Sequence, residues 1–532
     1  MAGRARGVEG DARAHRSVAR LHEHQGKALL AQAGVDTPRG VVIRCAGDAP
    51  GAVREVGGAA VLKIQAWTTG RKAMGGVVFV DTPDEAEAAA ERLLSMSVGR
   101  FPVEEVLVEE RVPIEHELFV SLSIDDTARA PVLLLAGSGG SGIEARAEEV
   151  ARLPVDPETG VEPAELESAL AGAPVQSPQR EPVARAIDAA VGLARRVEAR
   201  SLEINPLVTT TDGRVIAADC RMTIDDYAVF RHPELGIEIA RELDHPPTEL
   251  ERAAYAIEQA DHRGTFYFAR LPVEPGDRVI GFHGAGGGGS MMSMDAVSRA
   301  GFTPANFTDT SGNPSPAKVY AAARIILAQE GLLGYFGSGS GVASQEQYHS
   351  AYGLAKAFLE LGLTVPALIR LGGNSEDRAC EILESACADL PATVEGYKKD
   401  HSPAFVADRF AALVEHAAGA EWSPRPRAVP GFVGSGGALS FPVRFGVNWE
   451  GRCWVDRGAV DDGLFAVIDE SAPGVFRLGS AGIELALSEE EALARDSDLI
   501  AAEIECARAG RPAVFVDIPI PGLDDAPAEA PR

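Results

Sequence analysis

The stretch Ser201–Cys220, SLEINPLVTTTDGRVIAADC, constrains the fold of this chain more than any other. It reads as a β-hairpin. Leu202, Ile204 and Leu207-Val208 form an apolar arm, Thr211-Asp212-Gly213 the turn, and Val215-Ile216-Ala217-Ala218 the returning arm. Glu203, Asn205 and Asp219 fall where a strand should alternate or stay apolar, and a buried carboxylate or amide costs free energy unless something satisfies it. A hard divalent cation would satisfy them, because Mg²⁺ takes oxygen ligands from one or two carboxylates or amides and from substrate phosphates. The other reading is a solvated hairpin face.

Glu203-Ile204-Asn205-Pro206-Leu207-Val208, followed by Asp219 at the end of the returning strand, resembles the nucleotide-grasping half of the beta subunit of ADP-forming succinyl-CoA synthetase and of ATP-citrate lyase. The resemblance implies an ATP-grasp domain in which Asn205 and Asp219 hold Mg²⁺ beside ATP. It also implies that Glu203 orients a phosphohistidine borne by a partner subunit.

At 532 residues the chain is too long for one hydrophobic core, and three or so domains are expected. Its net charge of -28 argues against a nucleic-acid or anionic-membrane surface, so any phosphate site must be local. The six cysteines are scattered without a CxxC pair, which suits a reducing cytoplasm better than a zinc or disulfide scaffold. No apolar run approaches the roughly 18 residues of a membrane helix, and the basic start MAGRARG lacks a signal peptide's apolar core. Residues 1–18 are expected to be a disordered tail.

Arg20–Gly34 reads as a helix stopped by Gly34, with His22 and His24 as surface residues. Its His-Glu-x-Gln-x-Lys stretch is similar to the first helix of the same beta subunits. Ala59–Val80 reads as two strands around a Gly-rich loop. Lys63 lies inside an apolar strand and needs an anionic partner, for which a nucleotide phosphate is a natural candidate. Gly70-Arg71-Lys72 and Gly75-Gly76 would let backbone and cations lie over phosphates.

By resemblance, Lys63 is the ATP-phosphate lysine, Gly70, Arg71 and Lys72 form the nucleotide loop, and Arg71 joins Glu203 as catalytic. The family usually has Gly at Lys72 and a basic residue at Ala73, which leaves nucleotide preference open. Val106–Ile124 pairs two strands through a hinge where the resemblance places adenine and ribose. Glu109, Val112 and Glu117 would be the contacts, with Glu117 the side-chain one. Ala136–Glu144 is a Gly/Ser loop similar to the family's mobile loop, or a plain turn. Val183–Ala199 is an amphipathic helix leading into the hairpin.

Beyond a linker helix (244–275), Arg278–Val297 reads as strand, glycine loop and helix, and a helix N-terminus behind such a loop is an anion site. Leu332–Leu354 repeats the device. With Pro304–Ser315 and Ala367–Asn374 it indicates a flavodoxin-like parallel sheet whose helix N-termini face one crevice. This resembles the ligase domain of the same beta subunits, so the match spans about 21–418. The details SGNPS, GSGVAS and Arg370–Asn374 lean toward the citrate-using relatives. The resemblance implies substrate or phosphate contacts from His283, Gly284, Gly286, Asn306, Ser340, Gly341, Val342, Ala343 and Arg370. His283 stands where Asn is usual, and phosphorylation, a carboxylate contact and plain packing are all open to it.

After a Pro/Arg linker (419–430), residues 431–520 read as an α+β unit with no family resemblance. Phe441–Trp449 alternates as a strand and turns at Trp449-Glu450-Gly451, a Ser488/Glu491 capping box starts a helix to about Ala509, and Ala513–Ile518 closes as a strand. Residues 521–532 are expected to be disordered.

The expected fold class is α/β: an ATP-grasp domain (19–243), a flavodoxin-like CoA-ligase-type domain (276–418) and a small α+β domain. The expected activity is that of the beta-type subunit of an ADP-forming carboxylate–CoA ligase. It would use ATP, Mg²⁺, CoA and a small carboxylic acid, with an alpha-type, CoA-binding subunit carrying the phosphohistidine. The alternatives are a stand-alone ATP-grasp ligase that passes an acyl phosphate to an amine, and a non-catalytic binding subunit.

Overall fold

The computed structural model describes residues 17–524 apart from 69, 100, 140–149, 244, 340, 342, 418 and 481, and omits the side chains of 17, 343 and 344. The chain divides into two compact units, residues 1–247 and 248–532.

The first unit is built mainly on two antiparallel sheets. After helix α1 (Glu23–Gln32), the smaller sheet is built from β1 (Gly40–Ile43), β2 (Ala60–Ile64), β3 (Val77–Val80) and β4 (Val106–Glu110) in the order β1-β4-β2-β3. Helices α2 (Ala49–Val56) and α3 (Pro83–Leu94) close its core through Val53, Val56, Ala86 and Leu93.

The larger sheet contains β5 (Ile114–Asp125), β6 (Ala130–Ala136), β7 (Ala151–Asp156), β8 (Gly160–Val161), β9 (Ala199–Thr210) and β10 (Val215–Ala217), ordered β8-β7-β6-β5-β9-β10. Strand β11 (Arg221–Ile224) also pairs with β9. Helix α4 (Ser177–Arg196) precedes β9 and buries Val183, Ile187, Val191 and Ala194 at helical spacing against this sheet. The β9–β10 hairpin has the register read from sequence, Leu207 opposite Ala217 and Val208 opposite Ile216, with Gly213 at φ 87° in the turn. Ser17–Val18, at the end of the stretch expected to be a disordered tail, pairs as a strand with Ile237 and Ile239, and Ala19 and Leu21 just beyond it join the core with α4.

In the second unit the stretch expected to be a linker is structural. Helix α5 (Glu249–Ala260), capped by Thr248 and Glu251, is followed by β12 (Tyr267–Arg270), and buried Phe266 and Phe268 carry that strand into the core. The sheet continues with β13 (Val279–Ala285), helix α6 (Gly287–Arg299), β14 (Asn306–Asp309), helix α7 (Pro316–Ile326), β15 (Tyr335–Gly339), helix α8 (Tyr348–Leu361), β16 (Ala367–Arg370), helix α9 (Glu376–Ala386), β17 (Val394–Tyr397) and helix α10 (Pro403–His416). Strand order is β12-β14-β13-β15-β16-β17, parallel except for β12 at the edge. The parallel strands follow the flavodoxin-like order 2-1-3-4-5, with the switch point between β13 and β15.

The C-terminal part adds β18 (Ala438–Gly446), β19 (Trp449–Asp456), helix α11 (Asp462–Ser471), helix α12 (Asp496–Arg508) and β20 (Val514–Asp517). The strands form an antiparallel sheet β18-β19-β20. Two readings are corrected. The hairpin turns at Val447-Asn448, with Asn448 at φ 57°, because Asn tolerates that conformation and Gly451 lies inside the strand. The capping box at Ser488 starts only a short helix, because the Leu493 carbonyl accepts the Arg444 N–H from β18 and the helix begins anew at Asp496.

This part shares one core with α7 and α8. Lys356, fully buried, donates to Glu360 (2.6 Å) on its own helix and to both oxygens of Glu503 (2.7 Å each) on α12. The Tyr320 hydroxyl donates to Glu360 (2.6 Å), and Arg324 donates to the Tyr320 hydroxyl oxygen and to Asp524 (2.7 Å each). Trp422, in the expected linker, is buried and donates its indole N–H to the Leu327 carbonyl (2.6 Å).

Candidate active site

Helix α1 brings two charged residues, Glu23 and Lys27, onto its buried face with Gly26 and Leu30. They meet Lys63 from β2, Arg71 from the glycine loop, Glu109 from β4 and Asp219 after β10. Lys27 Nζ lies 2.7 Å from Glu23 and 2.6 Å from Glu109, and Lys63 Nζ lies 2.8 Å from each of the same two carboxylates. Both ammonium groups also donate to the Ala218 carbonyl, at 2.9 and 2.8 Å. Arg71 reaches Glu23 with Nη1 (2.6 Å) and both oxygens of Asp219 with Nη2 (3.0 and 2.8 Å).

Burial works against the charge on Lys63, but Glu23, Glu109 and Asp219 outweigh it and hold the ammonium's pKa above its usual value. Burial likewise opposes the Glu23 carboxylate, yet Lys27, Lys63 and Arg71 hold its pKa well below the carboxylate range. The loop is fixed by bonds from Ala73 N to the Gly70 carbonyl (2.8 Å) and from Gly76 N to the Arg71 carbonyl (2.7 Å). Gly70 and Gly75 have positive φ there.

Carrying the hairpin register outward sets Asn205 across from Asp219, and the Ala218 N–H donates to the Pro206 carbonyl between them (3.0 Å). Asn205 Nδ2 lies 3.4 Å from Glu203, which faces Arg221 and Ser121 on the flanking strands. A cavity of about 200 Å³ opens beside Glu203, lined by Trp67, Arg71, Ser121, Ser201, Arg221 and Thr223. Among the described residues no three or more His, Cys, Asp or Glu side chains form a metal set. Asn205 and Asp219 supply one amide and one carboxylate, a donor set suited to an ion that completes its shell with phosphate oxygens and water.

The structure therefore brings together Lys63, Arg71, Glu109 and Asp219, and separately Glu203 and Asn205. Lys72 and Gly70 are exposed, Val112 is half-buried in the hinge, and Glu117 is half-buried on β5 opposite Val208. Most of the loop Ala136–Glu144 lies outside the described residues. Sequence reasoning missed Glu23 and Lys27. Their signal was positional, since charges at 23 and 27 share the i, i+3, i+4, i+7 stripe with Gly26 and Leu30. The two histidines are half-buried and each has a neighbour inside the fold. His22 stacks on Trp67 at 4.0 Å, with burial lowering its pKa to about 4, and His24 Nδ1 lies 3.2 Å from Gln65.

In the second unit the loops after β13 and β15 flank the switch point. Gly286 (φ 101°) leads into α6, and the N–H groups of Gly286 and Gly287 donate to the Asp309 carboxylate (3.0 and 2.7 Å), so the helix end already carries an internal anion. A Cβ on Gly284 would lie 2.5 Å from Ser290 Oγ.

Three residues read as substrate or phosphate contacts have internal partners in this structure. His283 engages Tyr335 with Nδ1 (2.5 Å) and Thr310 with Nε2 (3.0 Å), and burial lowers its pKa to about 4. Asn306 is fully buried, donating to the Phe282 carbonyl and Thr308 (2.7 Å each) and accepting from Gln329 (2.9 Å). Arg370 donates to the carbonyls of Gly339, Lys399 and His401 (2.7–2.8 Å), tying loops together. Gly341, at φ 76°, packs against Arg370, and Ala343 pairs with Gly373. Ser340 and Val342 lie outside the described residues.

A small sheet with a basic glycine loop, a large sheet bearing paired oxygen donors, and a flavodoxin-like sheet in a second unit define an ATP-grasp ligase of the two-domain kind. The ATP-grasp domain family matches residues 20–209. The chain is 34% identical over 384 residues to the GDP-forming succinate–CoA ligase subunit beta of Thermus thermophilus, covering 71% of this chain and 97% of that one. It is 31% identical over 380 residues to the ADP-forming succinate–CoA ligase subunit beta of Rubrobacter xylanophilus, covering 70% and 95%. The ATP citrate lyase of Methanothrix soehngenii, solved with citrate and coenzyme A, superposes with a TM-score of 0.58 at 18% identity, over 75% of this chain and 99% of that one, a likeness of fold. The chain belongs to the family of succinate–CoA ligase beta subunits. It is an acid–thiol ligase subunit of the ATP-grasp type. Among the described residues no helix is long and apolar enough to cross a membrane.

Proposed function

We propose that this chain is the nucleotide-binding subunit of an ADP-forming carboxylate–CoA ligase. It would work with an alpha-type subunit that binds CoA and carries a histidine phosphorylated in turnover, and its acid would be a small di- or tricarboxylate. The observation that supports the reading is the ion-pair cluster holding Lys63, Arg71 and Asp219, with Asn205 across the hairpin from Asp219, which sets cations suited to phosphate near oxygens suited to a metal.

In this reading Lys63 and Arg71 receive the phosphates of ATP, and Val112 in the hinge with Glu117 on β5 receives the base and sugar. Asn205 and Asp219 hold Mg²⁺, which when bound supplies neutralisation of phosphate charge. Glu203, facing the cavity beside Arg71, orients the partner's imidazole. Phosphoryl transfer asks for positioning and charge more than covalent chemistry, and this site offers both. In the second unit a phosphate arriving at the α6 end would take the Gly286 and Gly287 N–H groups in place of the Asp309 carboxylate. The test is ADP release with ATP, Mg²⁺ and a panel of acids, with and without CoA and a co-expressed alpha-type subunit. Turnover that needs both CoA and the partner is expected. Turnover by the lone chain without CoA, driven by an amine, would instead favour a ligase of another kind.

A further inference from the structure

Three cations, Lys27, Lys63 and Arg71, face three carboxylates, Glu23, Glu109 and Asp219. The cluster balances within itself, so an entering polyanion brings uncompensated charge into a buried place unless a carboxylate is released or a cation arrives. The carboxylates are not equally free to leave. Glu23 and Glu109 are 3% exposed and each bridges both lysines, whereas Asp219 is 25% exposed and is ion-paired with Arg71. Arg71 divides its guanidinium between a buried anchor, Glu23 on Nη1, and the partly exposed Asp219 on Nη2.

We propose that Arg71 is an internal stand-in for the divalent cation: it holds Asp219 until metal and nucleotide arrive together, then, still anchored on Glu23, exchanges that carboxylate for a phosphate. This rests on the nucleotide-site reading above. Metal alone must displace Arg71 from Asp219, and nucleotide alone must draw Arg71 away from it. Each therefore binds weakly by itself, and the pair binds with positive coupling.

The full chain is titrated with Mn²⁺, free ion being read by electron paramagnetic resonance, and with ADP by calorimetry in EDTA. Arg71→Gln is expected to tighten Mn²⁺ binding without nucleotide by about five- to tenfold, at the low end of coupling between sites. Asp219→Asn, which frees Arg71, is expected to tighten metal-free ADP binding by a similar factor while abolishing Mn²⁺ binding. A merely structural Arg71 would move neither affinity upward. If either folded variant binds its test ligand no tighter than the parent while the parent binds Mn²⁺–ADP, the exchange is overturned and the nucleotide site stands. A parent chain that binds no ADP with or without Mn²⁺ overturns both. Should Arg71→Gln not fold, the Asp219→Asn titration decides alone.

Discussion

His283 shows what a residue's neighbours do to its titration. With Nδ1 on Tyr335 and Nε2 on Thr310, its burial as a neutral ring has a measurable consequence. Its pKa falls from 6.5 to about 4, so below pH 6.5 the unfolded chain takes up a proton that the native ring refuses. The stability from the neutral ring is thus present above pH 6.5 and lost as pH drops through about 4, by an amount on the order of 3 kcal/mol. Urea melts from pH 7 to 4.5 should show that slope, and His283→Gln should make it shallower, leaving the part due to His22. Glu23 is the opposite case, a buried carboxylate serving three cations. Glu23→Gln should cost about 3 kcal/mol in denaturant unfolding, since breaking a buried ion pair strands its partners. Asp219→Ala should abolish ADP formation while leaving the melting temperature within a few degrees, because Asp219 is partly exposed and packs no core. Lys63, Arg71 and Asp219 could be read as a group because each is a polar residue out of place in an apolar or glycine pattern. The internal partners of Asn306 and Arg370 could not, since a buried amide bonded across two strands has the same local sequence as one offered to a ligand.

Helices and strands were legible where their periodicity was strong. The β9–β10 hairpin, α4 and the strand–loop–helix units at β13 and β15 follow the residues that announced them. What failed was termination, since a distant strand took the Leu493 carbonyl and no local signal records that. Helix crossings were equally hidden. Gly353 in α8 lies where a Cβ would come within 2.3 Å of the Pro316 carbonyl at the start of α7, so the two helices approach on a bare backbone. Gly353→Ala, although it favours helix in isolation, should lower stability by about 1–3 kcal/mol through overpacking, visible as a lower midpoint in thermal unfolding.

At the scale of the molecule, the C-terminal part is a wall of the second unit. Phe441, Val443, Trp449, Leu499 and Ile500 share a core with Tyr352, Ala355 and Phe358, and Lys356 is neutralised in part by Glu503 from α12. Ending the chain after Pro430 should leave that ammonium short of a counter-charge and the face of α8 bare. Calorimetry of the truncated chain should then lose the transition of residues 248–430, and a protease should digest them. A separate α+β domain was the natural expectation because Lys356 and Glu360, four residues apart, look like any solvated pair on a helix. The same arrangement bears on descent. Tyr320, Arg324, Lys356 and Glu360 are buried beneath a cover here, and a relative that never acquired one is expected to carry other side chains at some of these four places. Reading them in any relative should reveal whether the cover came first as an addition to a finished surface or was inherited together with the residues it hides.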